Sequence, residues 1–398
     1  MKSLYIHIPF CKHKCFYCDF NSYSGKDNLI KEYIEALKKE LLFVVNEKSI
    51  LNNMKKDFNF ETVYFGGGTP SNIPAECIKE VMDLINCKGE VTLELNPGTI
   101  DEEKLLKYKE AGINRLSIGL QAIQDDILKN IGRIHTLKDF EEAFNLARKI
   151  GFSNISVDLM FGLPNQTLKD VKESVDYLIK LGPEHISCYS LILHDELVTK
   201  NKNAFNNLPN DDEERKMYYL ICDSLCNAGY KQYEISNFSK IGYESKHNLC
   251  YWNQDEYYGI GAGASSYING VRFKNINSIE EYIKSINEEN LEDICTRDNL
   301  KNDRKKFLER KFREIEEVQE GDAKLKEYMI LRLRLLDGVS INDAKEKFKI
   351  DILNRFNTEI NKMQNLGLLE VDNNANDIRV KLTKKGLDLA NIVWEEFI

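Results

Sequence analysis

The first 190 or so residues alternate strand-like with helix-like segments, and this alternation constrains the fold more than any other feature of the chain. Short β-rich runs stand at 3–8 (SLYIHI), 62–67 (TVYFGG), 91–95 (VTLEL), 115–120 (RLSIGL), 155–162 (ISVDLMFG) and 185–191 (HISCYSL). Between them, 31–45, 76–85, 101–112, 137–151 and 167–182 carry apolar residues at helical spacing, several ending in a glycine suited to a C-cap. Strands joined by crossovers of helical length run parallel, because a tight turn joins only antiparallel neighbours. Six such units suit a partial (βα)6 barrel or an open doubly wound sheet, and repetition alone does not choose between them.

Past residue 200 the pattern loosens. A polar connection, NKNAFNNLPNDDEE, leads into an amphipathic helix over 211–230 with an acidic first turn. The dense mixed charge of 301–322 predicts a solvated helix or hinge. Beyond it, three helical segments, a short hairpin and a last helix predict a winged-helix-like α+β module. The expected division is 1–240 for the barrel core, 241–310 for an extension with a charged linker, and 311–398 for the C-terminal domain.

At 398 residues and 42% hydrophobic, the chain can bury one large core plus a smaller domain. A net charge of -9 excludes a general nucleic-acid binder, which neutralises phosphates with a basic surface. Lys381, Lys384 and Lys385 keep a nucleic-acid role for the C-terminal module as an alternative, testable at low salt. The start, MKSLYIHIPFCKHKC, carries no apolar signal core, no run approaches a membrane span, and the end, WEEFI, carries no lipidation signal. The expected compartment is the cytoplasm, where ten cysteines are reduced thiols or metal ligands.

Cys11, Cys15 and Cys18 form a CxxxCxxC triplet just past the first strand. In a chain of this composition that spacing arises by chance in well under about 1% of cases. Thiolates suit iron-sulfur clusters and zinc, and three of them leave one corner of a cubane open. The zinc alternative asks for a fourth ligand, for which His13 inside the loop is the nearest histidine.

In this the chain resembles the radical S-adenosylmethionine (SAM) superfamily, in which CxxxCxxC holds a 4Fe-4S cluster and SAM chelates the fourth iron. The resemblance places the SAM amino group at Gly66-Gly67-Gly68-Thr69-Pro70, although a tight βα turn uses glycines equally well. Glu94, Gln121, Arg133 and Asp158 each lie at or past a predicted strand end, where a βα barrel gathers its site. SAM presents ribose hydroxyls, an ammonium and a carboxylate, for which carboxylates, an amide and an arginine are matching partners. Tyr17 can stack near adenine. Taken singly, each of these reads equally well as a surface charge or a helix cap.

The runs YIHIPFC, CFYCDF, GGGTPS, LELNPGTI, NRLSIGLQ, NIGRIHT and VDLMFGLPNQT narrow the resemblance to the oxygen-independent coproporphyrinogen III oxidase-like branch, over roughly residues 1–270. It implies a partial (βα)6 radical SAM barrel with a smaller C-terminal winged-helix-like α+β domain. It implies SAM contacts at Tyr5, Tyr17, Gly67, Gly68, Thr69, Glu94, Gln121, Arg133 and Asp158. The glycine-rich 259–270, GIGAGASSYING, is expected to lie against SAM or the barrel mouth; no dinucleotide-binding order surrounds it.

The branch contains an oxidase, which decarboxylates two porphyrinogen propionates by radical chemistry, and haem chaperones. Where the oxidase has a fourth cysteine two residues past the triplet, this chain has Phe20, and its first strand starts at Ser3 without the oxidase's extended N-terminal segment. His247-Asn248-Leu249-Cys250-Tyr251-Trp252 matches the HNxxYW motif that the chaperones associate with haem. His247 and Cys250 stand as alternative haem-iron ligands, with Tyr251 and Trp252 able to pack on the macrocycle. Without the resemblance, His247 reads as a hydrogen-bonded core histidine and Trp252 as a core aromatic. The resemblance thus favours a haem chaperone with a 4Fe-4S cluster, SAM and haem, a haem-acceptor protein as partner and no assigned catalytic residue. A homodimer and a peripheral membrane contact through the acceptor are compatible with it. The rival is the oxidase, a radical SAM oxidoreductase acting on a porphyrinogen.

Overall fold

The computed structural model describes residues 3–51, 59–289, 310–374 and 377–398. All six predicted strands form: β1 (Ser3–Ile8), β2 (Phe60–Gly67), β3 (Cys87–Leu95), β4 (Arg115–Gln121), β5 (Ile155–Phe161) and β6 (His185–Ser190). Each pairs in parallel with the next. Strand order never reverses along this run, as a doubly wound sheet requires, so the sheet winds one way as a partial barrel. Along β1, Leu4, Ile6 and Ile8 enter the hydrophobic core while Tyr5 and His7 face a cavity on the lumen side, the period-two consequence of a pleated strand. The crossover helices Leu137–Ile150 and Leu168–Leu181 start with reciprocal Thr–Asp capping boxes (Thr136 with Asp139, Thr167 with Asp170) and end on left-handed Gly151 and Gly182.

The sheet continues on both sides. Past β6 it gains β7 (Lys231–Gln232) and β8 (Asn237–Ser239), with β8 against β6. Against β1 lies an unpredicted seventh parallel strand, β9 (Tyr257–Ile260), followed by antiparallel β10 (Ser265–Ile268), β11 (Val271–Asn275) and β12 (Arg313–Val318). Among the described residues the sheet has twelve strands. Tyr258, Ile260, Phe273 and Tyr282 share the core of β1–β6, so the extension packs with the barrel rather than apart from it.

Residues 301–309 of the charged segment lie outside the described residues, but 313–318 depart from the expected solvated helix or hinge. They form β12, and the sheet runs past the residue-311 boundary. The reason is charge complementarity. The Arg313 guanidinium is buried 3.4 Å from the Glu40 carboxylate, which also accepts from Tyr282 (2.6 Å) and Asn275 (2.8 Å), and a buried acid tolerates its place only when its lone pairs are satisfied.

The C-terminal domain has its own core, built on Met329, Leu333, Phe356, Val380 and Val393. Its helices, including Asp322–Arg332, Ile341–Phe348 and Asn357–Asn365, precede and flank a small sheet of β13 (Val339–Ser340), β14 (Leu369–Asn374) and β15 (Asp377–Leu382), ordered β13-β15-β14. It is latched to the barrel by Arg334, whose guanidinium lies 4.5 Å from the Trp252 ring and 5.2 Å from that of Trp394. Backbone bonds Ile235 N to Arg334 O and Leu336 N to Tyr233 O join the two parts. No described helix is long and apolar enough to cross a membrane.

Candidate functional site

The cysteine loop leaves β1 and is closed at its base by pairing of Phe10–Cys11 with Tyr23–Ser24. Lys14 Nζ crosses it to donate to the carbonyls of Phe20 (2.9 Å) and Ser22 (3.2 Å), and Phe16 N donates to Ile131 O of the NIGR segment. Cys11, Cys15 and Cys18 are free thiols lining one cavity of about 440 Å³. Burial pushes the Cys11 and Cys18 thiols up, so their thiolates require a nearby cation. Among the described residues no three His, Cys, Asp or Glu side chains converge as a single ion's ligands do. A cubane makes no such demand, since each thiolate takes a different iron.

The same cavity is walled by Tyr17, Gly67, Gly68, Thr69, Glu94, Gln121, Arg133 and Asp158. Eight of the nine residues expected at SAM are therefore gathered, and their positions follow from strand ends. Gly67 sits at φ +112°, where a Cβ would strike the His7 ring at 2.5 Å, so only glycine keeps the turn. Its N–H donates to Glu94 Oε2 (3.2 Å) while the Tyr64 hydroxyl donates to Oε1 (2.7 Å). Burial raises the Glu94 pKa to about 7 against those two donors. Asp158 is likewise raised by burial and accepts from Ser117 (3.2 Å).

Gln121 ends β4 at φ +65° beside a register shift between Gly119 and Gln121, backbone strain worth roughly 1–3 kcal/mol that sets the side chain into the cavity wall. Gln121 Oε1, Arg133 Nε and Arg115 Nε are buried with no partner among the described residues. Unpartnered buried donors and acceptors beside two carboxylates and three thiols are a donor set that fits a cluster with SAM. Tyr5 lies outside that wall. Its hydroxyl meets His7 Nδ1 at 3.0 Å and its ring lies behind Gly66, so it lines a different cavity.

That second cavity, about 540 Å³, was not visible in the sequence. The helix Lys246–Trp252, which carries the HNxxYW motif, borders both. Ser245 caps this helix by accepting from Asn248 N, and the buried Glu90 carboxylate accepts from Lys246 N and His247 N, an anion at a helix N-terminus. Asn248 lines the cluster cavity, Tyr251 and Trp252 line the second, and His247 lines neither. His247 is sealed between them, with Nδ1 2.9 Å from Thr62 Oγ1, Nε2 2.8 Å from the Tyr251 hydroxyl, and its ring stacked on Tyr64. Burial, helped by Arg115, lowers its pKa to about 3 and keeps it neutral. Cys250 is fully buried, its thiol pushed up to about 11, and its Sγ faces the Glu256 carbonyl at 3.8 Å.

The glycine-rich stretch lies on the lumen side, at the second cavity. Gly261 packs on Tyr33 and Gly263 on Asn21, while Gly263 and Ser265 line the second cavity rather than the SAM cavity. Asp19 and Phe20 line both cavities, and Phe20 is 65% exposed.

Comparison with known proteins adds to this geometry. Residues 5–178 match the radical SAM superfamily and residues 320–389 the HemN C-terminal domain. The chain is 39% identical over 407 residues to heme chaperone HemW of Bacillus subtilis, covering all of this chain and 99% of that protein. It is 36% identical to heme chaperone HemW of Lactococcus lactis, covering all of this chain and 97% of that protein. The crystal structure of Escherichia coli coproporphyrinogen III oxidase (HemN), a radical SAM enzyme, superposes over the whole chain and 89% of its own with a TM-score of 0.79, at 19% identity. The superposition shows the shared fold, and a radical SAM fold implies a 4Fe-4S cluster and SAM. By its full-length similarity, this chain belongs to the HemW family of radical SAM proteins.

Proposed function

We propose that the protein binds haem and passes it to an acceptor protein in the cytoplasm, a reading supported by the name heme chaperone that its relatives carry. The observation that carries the reading is the position of the HNxxYW helix. Asn248 on it borders the cavity of Cys11, Cys15 and Cys18, and Tyr251 and Trp252, one turn on, border a second cavity large enough for a further ligand.

In this reading the three cysteines hold the cluster, leaving one iron for SAM. Glu94 and the Gly67–Thr69 turn hold the SAM ammonium, Arg133 its carboxylate, Asp158 and Gln121 the ribose side, and Tyr17 the adenine. When bound, the reduced cluster with SAM supplies one-electron chemistry, and the protein's part is to orient SAM and exclude water.

The experiment is anaerobic reconstitution of the full chain with iron and sulfide, titration with haem followed by absorbance, then addition of a haem-free acceptor. Stoichiometric haem that leaves for the acceptor is the expected result. Conversion of coproporphyrinogen with SAM consumption, and no haem uptake, would make it an oxidase instead.

A further inference from the structure

A βα barrel usually fills its lumen with branched apolar side chains, but this one is polar beneath the SAM cavity. On β4 the residues that alternate inward are Arg115, Ser117, Gly119 and Gln121, and all four line that cavity. β3 brings Glu94 and β5 brings Asp158 to the same wall. Ser117 stands opposite Glu94 in the β3–β4 register and donates to Asp158 (3.2 Å), so Arg115 lies one lumen step below the point where the two carboxylates approach β4. Arg115 is 2% exposed, its Nε has no partner, and no ion pair joins it to a carboxylate among the described residues. Thr92, opposite it on β3, likewise leaves Oγ1 without a partner. A buried charge without a partner is costly, and such a group asks for an explanation in the use of the site.

The charges that face it supply one. Burial keeps Tyr5, Tyr17, Tyr64, Tyr189 and Tyr251 and the Cys188 thiol protonated around the two carboxylates. His185 and His247, which face Arg115, are held neutral by burial and by the guanidinium itself. The cations facing the carboxylates are Arg115, toward both, and Arg133, toward Asp158. Arg133 is turned to the cysteine loop, facing Tyr17, Cys15 and Cys18, and in the reading above it holds the SAM carboxylate. Arg115 is therefore the cation left to balance Glu94 and Asp158. It does so without a direct ion pair, so the carboxylate oxygens stay open to a ligand's hydroxyls and cation.

We propose, resting on the SAM reading above, that Arg115 is the counter-ion of the SAM site: a positioning residue that holds Glu94 and Asp158 ionised from the lumen floor while leaving their oxygens free for SAM. It acts through the two carboxylates and is not itself a SAM ligand. Without it two like charges share one cavity, and a proton is taken up at a higher pH than in wild type. The cation of SAM is attracted by the charged form alone, so the loss shows as a shifted pH dependence of SAM binding.

The test is SAM binding to the reconstituted full chain by equilibrium dialysis from pH 6 to pH 9, with the urea midpoint measured alongside. Arg115→Met is expected to raise the pH at which SAM binding halves by about one unit, with affinity about tenfold weaker at pH 6 and equal to wild type by pH 9. Arg115→Lys, which keeps the charge, is expected to retain the wild-type profile. The urea midpoint of Arg115→Met at pH 7 is expected to be no lower than that of wild type, with cluster iron retained, because an apolar side chain of similar length relieves an unpartnered buried charge. Affinity that weakens equally at every pH in both variants, or a lowered urea midpoint with loss of cluster iron, makes Arg115 a packing residue and overturns the proposal. Absence of SAM binding by wild type at every pH removes the SAM reading itself.

Discussion

Glu94 holds a carboxylate out of water with two donors in place, and the raised pKa that results makes SAM binding depend on pH. The charged form is the one that attracts an ammonium. With the pKa raised to about 7, protonation as pH falls through that value removes the attraction. SAM affinity is therefore expected to fall about tenfold from pH 8 to pH 6, one proton competing with one cation, when measured by equilibrium dialysis. Glu94→Gln should bind weakly at both pH values and flatten the profile; an unchanged slope in that variant would assign the proton elsewhere. In the cysteine loop, Cys15→Ser should lose cluster iron with the far-ultraviolet circular dichroism preserved, whereas Cys77→Ser, away from the cavity, should keep it. The residues of this site were readable because CxxxCxxC and the strand-end positions are local properties of the chain. A buried, hydrogen-bonded His247 was one of its two readings, but its partner was not legible, since Thr62 lies 185 positions away and the motif says nothing of it. Which cavity Tyr5 meets was not readable either. Alternation along β1 sends it into the lumen, but the lumen holds two cavities and alternation cannot say which one it meets.

At the scale of elements, β1 to β6 followed from period-two runs flanked by helices, and their register holds because a one-residue slip would turn Leu4, Ile6 and Ile8 into the lumen. β9 was missed. Its four residues are too few for a pattern, and what makes them a strand is the edge of β1, over 240 residues earlier in the chain. The glycines that follow serve that strand. Gly261 stands at φ +96°, and a Cβ there would lie 2.5 Å from the Tyr33 hydroxyl and 2.7 Å from the His7 carbonyl. That hydroxyl donates to His7 O (2.7 Å) and accepts from Ala262 N (2.9 Å), so it cannot retreat without losing both bonds. Gly261→Ala is expected to destabilise the barrel by more than about 1 kcal/mol, through backbone strain and steric overlap together. The urea midpoint measures this, and an unshifted midpoint would mean that the turn relaxes freely.

Across the whole molecule, the barrel and the C-terminal domain meet where the HNxxYW helix ends. The chain has two tryptophans, and both face Arg334: Trp252 from the motif helix and Trp394 from the last helix. A partly desolvated guanidinium over an indole face contributes about 0.5–2 kcal/mol per contact, and of the two contacts the one to Trp252 joins the barrel to the C-terminal domain. The same arrangement makes tryptophan fluorescence a reporter of domain seating, with no other indole to obscure it. Arg334→Ala is expected to shift the emission to longer wavelength as both rings gain water, and to speed proteolytic cleavage between the barrel and residues 320–398. Cluster iron should be retained, because Arg334 lies outside the cysteine cavity. Since Trp252 also lines the second cavity, seating of the C-terminal domain and occupancy of that cavity act on one ring, and haem added to wild type should quench the emission. If emission and proteolysis are both unchanged in Arg334→Ala, the domains are held by the other contacts across the junction, among them the backbone bonds at Ile235 and Leu336 and the bonds of Gln254 and Arg272 to Glu327, and the tryptophan sandwich is packing without a latch.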